Sequence, residues 1–441
     1  MPYSPWRTQL ESLKPLHSKI EVLLAIPRTI VYHSLWFDAR NYFGSYRGSR
    51  IAGRHTAGKV AEFELAFARY MGVSSARAFP FARTALYFSL KAQNFEPGDE
   101  VIMPPITIKP MMDVVISLGL RPVFVDIELD TLCFDPDEMK KAITSRTRAV
   151  LITYLFGVAP DMSRLVSVCR EHDLFVVEDF SHALNASWNG RKLGTFGNVG
   201  IYSCSRTKTL DAYGGGLAIT DDAVLAQHLE KAKGSLTPTP SKRLRAKIAE
   251  TFITNVATRR PVFTAVVAPM LSIVGKINPE REKALTGARQ NLKPDAVLPQ
   301  DYFERFTSAQ AEAGLAMLEK VEEGDAKRIS NAAELRRSLR PLGEPCARTS
   351  KEARNVYWQF VVFAPDPGRF RRILARRGID TGTTNLSLVC GLGIYPEYEK
   401  ECPNAERLKN NAMYIPVYPR IGQRDLERVT EAIRLALRQS A

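Results

Sequence analysis

The sequence predicts an α/β protein: a large α/β/α domain around a mainly parallel sheet, followed by a smaller C-terminal α+β domain. Three observations predict it. From about residue 60 to 222, short apolar, β-branched runs alternate with helical patterns of 9–15 residues, the order that sets strands parallel. After residue 301 the texture changes to long helical patterns with only two strand-like runs. The chain's 441 residues also exceed what one core usually serves, so two domains are the default.

Each element has a local reason. "GKVAEFELAFARYMG" (58–72) carries apolar residues at helical spacing and ends on Gly72, a plausible C-cap. "TALYFSLKAQNF" is a second amphipathic helix, with Thr84 at its start. "DEVIMPP" is a strand stopped by prolines, "MMDVVISLG" a helix ending at Gly119, and "RPVFVDI" a strand. "DPDEMKKAI" opens with acids, as a helix N-terminus prefers. "RAVLITYLFG", "LFVVEDF", "GIYSCS" and "GGLAIT" read as strands, with the helix "MSRLVSVCREHD" between the first two. Residues 235–300 break the alternation. A basic stretch, "SKRLRAKIAETF", precedes the apolar "PVFTAVVAPMLSIVGKI" (261–277), so we read a helical insertion. It is too short and proline-marked for a membrane span, which leaves a buried helix, a subunit contact or a membrane-surface contact open. "FTSAQAEAGLAMLEKVEEGDAKRISNAAELRRSL" then reads as one long helix. Strand "VYWQFVVFA", helix "GRFRRILARRG", strand "MYIPVYP" and a C-terminal helix complete the small domain.

Composition narrows the partners. The chain is 45% hydrophobic and 24% charged, with a formal net charge of +14. Such a charge suits nucleic acid, an anionic membrane surface or anionic substrates. Neither a Cys/His zinc spacing nor an RNA-binding signature occurs, so nucleic acid ranks low. Six scattered cysteines point to free thiols in a reducing cytoplasm, and the N-terminus lacks the pattern of a signal peptide.

The chemistry gathers at strand ends, where open α/β sheets bind ligands. Lys208 sits in "YSCSRTKTLDAYGGG", a loop between two strands. It is a solvated surface lysine or an amine held for nucleophilic work. Asp179 closes the strand "LFVVED", where a buried carboxylate needs a cation. Ala82, Arg83 and Thr84 open a helix, where backbone N–H groups and the helix dipole favour an anion. Ser203, five residues before Lys208, adds a hydroxyl. Phosphate, aromatic nitrogen and aldehyde together sketch pyridoxal 5′-phosphate (PLP), which needs a Schiff-base lysine and an acid on its ring nitrogen. No metal-ligating cluster is seen. Spacing by itself leaves the surface lysine open.

Several longer segments resemble the DegT/StrS-type PLP-dependent sugar aminotransferases. They include "EPGDEVIMPP" and the run from Leu155 to Asp222. That run contains Glu178-Asp179, "GRKLGTFGNVG" and Ser203-x-x-x-x-Lys208 followed by glycines. "RFTSAQAEAGLAMLEKVEE" and "AERLKNNAMYIPVYP" match in the small domain. The resemblance covers roughly 58–230 and 302–438. It implies a fold-type I PLP-transferase, usually a homodimer with active sites at the subunit interface. It also implies that Lys208 forms the Schiff base, Asp179 pairs with the pyridine nitrogen, and Ser203 with Ala82–Thr84 holds the phosphate. The implied organisation is an N-terminal extension (1–57), a PLP-binding large domain (58–234), the insertion (235–300) and a small domain (301–441).

The chain also departs from the family's pattern. His182 stands where Gln is usual, able to contact the coenzyme or to make a structural hydrogen bond. Ile108 replaces the aromatic residue stacked on the ring. Arg83 replaces the glycine of a Ser-Gly-Thr turn, Phe303 an asparagine, and "NLSLVCGLGIYPEY" a His/Pro-rich substrate wall. The expected activity is transfer of an amino group from glutamate or glutamine to a ketone, most simply a keto sugar nucleotide. Three alternatives remain: the same chemistry on an amphiphilic or lipid-linked carbonyl at a membrane, a non-catalytic PLP-binding regulator, and a dehydratase, which the presence of Lys208 disfavours. The expected location is the cytoplasm, with a peripheral membrane contact through 235–300 as the variant.

Overall fold

The structure, a computed structural model, describes residues 58–205, 207–257, 259–267, 269–270, 297–342 and 347–440. The expected N-terminal extension and residues 271–296 of the insertion lie outside the described residues.

The chain enters through helix α1 (Lys59–Met71). Gly72 ends it at φ 75°, a left-handed position that glycine takes without strain, and its N–H reaches Ala68 O. Strand β1 (Ser75–Phe79), α2 (Ala82–Lys91) and β2 (Glu100–Met103) follow. Next come β3 (Ile106–Thr107), α3 (Lys109–Ser117), β4 (Arg121–Phe124) and α4 (Pro136–Lys141). Asp135 caps α4 by accepting from the N–H groups of Asp137 and Glu138, as the acidic start predicts. Strand β5 (Thr147–Thr153), α5 (Met162–Glu171) and β6 (Phe175–Asp179) complete the repeat. Short strands β7 (Ser187–Trp188) and β8 (Arg191–Lys192) lead to β9 (Val199–Ser203) and β10 (Gly216–Thr220).

Seven of these strands form one sheet in the order β1-β10-β9-β6-β5-β2-β4. β9, β6, β5, β2 and β4 run parallel, and β10 is antiparallel to both β1 and β9. The parallel strands need both faces covered, and they have two apolar clusters. One contains Phe63, Phe67 and Phe180; the other contains Leu86, Val114 and Val177.

Helix α6 (Ala223–Gly234), capped by Asp222, leads to α7 (Ser241–Ala257). Beyond residue 300, α8 (Ser308–Leu318) and α9 (Val321–Leu339) replace the single long helix expected. The break falls between Leu318 and Val321, where the packing partners begin to change. Gly314 of α8 lies so close to Phe63 of α1 that a Cβ would meet the ring at 2.6 Å. Ala332, Leu335 and Leu339 of α9 instead enter a separate small-domain core. Val321, at the start of α9, still packs in the large-domain core, so α9 runs from one core to the other. Strands β11 (Ala353–Arg354) and β12 (Phe360–Phe363), α10 (Pro367–Arg376), β13 (Ser387–Leu388), α11 (Pro403–Asn411), β14 (Ala412–Ile415) and α12 (Gln423–Ser440) follow. β12 pairs with β14, while β13 reaches back to β3, placing Ser387 opposite Thr107. Cys133, Cys169, Cys204, Cys390 and Cys402 are buried free thiols; Cys346 lies outside the described residues.

Candidate active site

Adjacent residues of a strand face opposite sides of the sheet, and β6 uses both sides for acids. Glu178 is fully buried on one side. It accepts hydrogen bonds from Tyr154 Oη and from the backbone N–H groups of Gly194 (2.7 Å) and Gly197 (2.5 Å). This explains the glycine run that follows β6. A Cβ at Gly200 would sit 2.2 Å from Gly194 O, so a side chain there would prise the loop off the acid. Asp179 faces the other side, into a cavity of about 470 Å³ at the carboxyl ends of the strands. Its Oδ1 accepts from Ser181 N–H at 3.0 Å. Burial pushes its pKa up, while Ser181 and the charge of Lys208 pull it down. The carboxylate is therefore underpaired and favours a cation in the cavity.

Lys208 lines the same cavity. Its loop is tied to itself. Cys204 N–H donates to Gly215 O (2.9 Å), Ala212 and Gly214 N–H donate to Cys204 O, and Leu210 N–H donates to the buried Tyr202 hydroxyl. Gly214 and Gly215, at φ 96° and 111°, close the turn. Burial lowers the Lys208 pKa to about 8, against the opposing pull of Asp179. The surface reading of Lys208 is excluded by this setting: its ammonium lies 4.6 Å from the centre of the Trp358 ring.

The anion end is built at the start of α2. Gly216 approaches it so closely that a Cβ would lie 2.2 Å from Ala82 N. Ala82, Arg83 and Ser203 line the cavity. The Arg83 guanidinium lies over Phe81 (3.6 Å) and Tyr302 (4.3 Å), and its buried Nε has no hydrogen-bond partner among the described residues. Thr84 is placed differently from the sequence expectation. Its hydroxyl donates to Tyr302 O at 2.9 Å, away from the cavity, and its backbone N–H donates to Phe81 O at 3.1 Å, so both of its donors are already engaged. Phe303 packs edge-on against Tyr87 and Phe88 of α2, and Arg305 donates to Leu236 O.

His182 is held as a neutral ring. Its Nδ1 accepts Phe156 N–H at 3.3 Å, which leaves the proton on Nε2. Burial, with a smaller contribution from Lys208, pushes its pKa well below the usual histidine range. The ring stacks on Trp358, centroids 3.8 Å apart, and lies 6.0 Å from Phe156. His182 thus makes a structural hydrogen bond, and the ring still lines the cavity. Ile108 lines the cavity while remaining 37% exposed, an apolar flank without a ring.

Sequence reasoning missed Trp358, Lys247, Thr153 and Asn385, which also line the cavity. Trp358 comes from the small domain and donates its Nε1–H to Thr207 O at 2.7 Å. Its approach depends on Gly157 (φ 84°), where a Cβ would lie 2.7 Å from Trp358 N. A tryptophan just before a strand carries no such signal in a single sequence.

Residues 51–434 match the model of the DegT/DnrJ/EryC1/StrS aminotransferase family. The chain belongs to this family. Among its relatives is the L-glutamine:2-deoxy-scyllo-inosose aminotransferase of Streptomyces kanamyceticus, 38% identical over 187 residues. That match spans 42% of this chain and 42% of the relative, so it covers less than half of either. The GDP-perosamine synthase of Caulobacter vibrioides is 26% identical over 381 residues, covering 85% of this chain and 89% of that protein. A crystal structure of AtS13 from Actinomadura melliaura shares the fold at TM-score 0.72 and 21% identity, covering 92% and 98% of the two chains. The DegT/DnrJ/EryC1/StrS match spans both the strand-end residues and the small domain that supplies Trp358.

Proposed function

We propose that the chain is a PLP-dependent aminotransferase that moves an amino group from glutamate or glutamine to a keto sugar, most simply one carried on a nucleotide. The observation that carries this reading is Lys208 and Asp179 facing one cavity beside the α2 N-terminus and Arg83. The residues fit the coenzyme. The orphaned Arg83 Nε and the side-chain-free approach of Gly216 suit a phosphate, and the underpaired Asp179 suits a protonated ring nitrogen. When bound, PLP supplies an aldehyde and an electron-accepting ring. The chain supplies the rest. Asp179 holds the proton on the ring nitrogen. Lys208, with a pKa of about 8, would take a proton from the donor's α-carbon and deliver it to the carbon of the coenzyme's former aldehyde near neutral pH. Trp358 and Ile108 flank the cavity with apolar surface.

The relatives named for glutamine-dependent transfer and for GDP-perosamine synthesis support the donor and acceptor classes. Mixing the PLP-loaded protein with glutamate or glutamine tests the reading. Release of the matching 2-oxo acid with loss of the coenzyme's visible band is expected; an unchanged band with both donors contradicts it.

We also infer a homodimer, on family grounds, measurable by light scattering. A peripheral membrane contact is a second reading with its own support. Ile253, Val266 and Met270 are exposed, and exposed Lys242, Arg245 and Arg259 lie on the same segment. No helix among the described residues is long and apolar enough to cross a membrane. Flotation with anionic vesicles separates this from a cytoplasmic enzyme: the membrane reading requires the protein to rise with them.

A further inference from the structure

We propose that Lys247, on the inserted helix α7, is a second cationic ligand for a phosphate group beside Arg83. One chain then reaches into its own anion pocket with a side chain from the insertion. The inference rests on the aminotransferase reading above and adds the insertion's role to it.

The placement of α7 is specific. Its start is anchored by Thr237 N–H to Phe303 O (2.9 Å), Thr239 Oγ1 to Arg305 O (2.6 Å), and an Arg243–Glu304 ion pair. Leu244, Ile248 and Phe252 pack inward at helical spacing. Lys247 shares that inward side and lines the cavity that Lys208 and Asp179 face. Its Nζ lies 5.0 Å from the centre of the Phe81 ring, the ring that Arg83 covers at 3.6 Å. A Cβ at Gly214 would be 3.4 Å from Lys247 Nζ, so the bare backbone there leaves room for the ammonium beside the Lys208 loop.

Two cations thus meet at one aromatic ring. Neither Arg83 nor Lys247 makes an ion pair among the described residues. Burial holds the Lys247 pKa below its ordinary value; Asp301 opposes this and the Arg83 charge adds to it. Arg83 is likewise lowered by burial. Like charges brought together at a cavity wall, with a buried Nε left unbonded, are stabilised by an anion placed between them. The α2 N-terminus beside them has the matching polarity. The shared chemistry is a phosphate, from either the coenzyme's monoester or the acceptor's diphosphate.

Titration separates the sources. The apoprotein is titrated by absorbance with PLP and with pyridoxal, which lacks the phosphate. The PLP-loaded protein is titrated with UDP by calorimetry. Wild type is compared with Lys247→Gln, Lys247→Arg and the same-helix control Arg245→Gln. Lys247→Gln is expected to weaken PLP about tenfold and leave pyridoxal unchanged, with Lys247→Arg restoring affinity and Arg245→Gln behaving as wild type. Unchanged PLP affinity with about tenfold weaker UDP assigns Lys247 to the acceptor's phosphate and equally supports its role as a phosphate ligand. Unaltered binding of both PLP and UDP, or equal weakening of PLP and pyridoxal, overturns it. A wild-type protein that takes up no PLP contradicts the aminotransferase reading instead.

Discussion

Asp179 and Lys208 are each costly to bury alone, since desolvating one ion costs several kcal/mol. Each acts on the other's charge, and both face the same space. Lys208→Ala is expected to leave a folded protein with no coenzyme band and no transamination, checked by absorbance and 2-oxo acid release. The pH dependence has a definite sign. The Lys208 pKa falls from 10.5 to about 8, so below pH 8 the amine is mostly protonated and non-nucleophilic. The rate of coenzyme capture, followed by stopped flow, should rise about tenfold per pH unit and level off above about 8. A flat profile would remove the lysine's assigned part. The folded protein also binds this proton less readily than the unfolded chain, so this group's stability contribution rises with pH between 8 and 10.5. Asp179→Asn should retain the coenzyme yet lose about 10²–10³ in turnover, because an amide holds the ring proton poorly.

At the scale of elements, the site is the product of a strand's two faces and a few close backbone approaches. Glu178 fastens the glycine run while its neighbour Asp179 serves the cavity. Gly216 lets β10 touch the α2 N-terminus. Gly216→Ala should therefore shift that N-terminus and weaken PLP binding about tenfold to hundredfold. Gly391→Ala, with nothing within 4 Å of its Cβ, should not, as an equilibrium titration of both variants would reveal. These parts were legible in the sequence because they are local: strand ends, a helix start, and glycines at fixed offsets. The Lys208–Asp179 pairing was legible through the motif order. Trp358 and Lys247 were not, because their position depends on how distant segments pack across the cavity. Thr84 was misjudged for the same reason. Its partner, Tyr302, is 218 residues away.

The whole molecule depends on how α9 joins the small-domain core to the sheet. Asp325 and Arg328 form a buried ion pair at 3.0 Å. Asn185 Nδ2 donates to Asp325, and Arg328 donates to Val356 O, two residues before Trp358. Burial pushes the Asp325 pKa up to about 6, with Arg328 opposing. Removing one partner strands the other charge, so Arg328→Met should destabilise by about 3–5 kcal/mol. Adding Asp325→Leu should recover a large part of that loss, as denaturant unfolding of the single and double variants would record. Because the junction positions Trp358, Arg328→Met should also weaken coenzyme capture. The central claim, that Lys208 is the amine holding the coenzyme, is tested most directly by peptide mass mapping. Borohydride treatment of the PLP-loaded protein fixes the coenzyme to the amine that holds it. The pyridoxyl phosphate is expected on Lys208; finding it on Lys247, on Lys109 or on no lysine would refute that assignment.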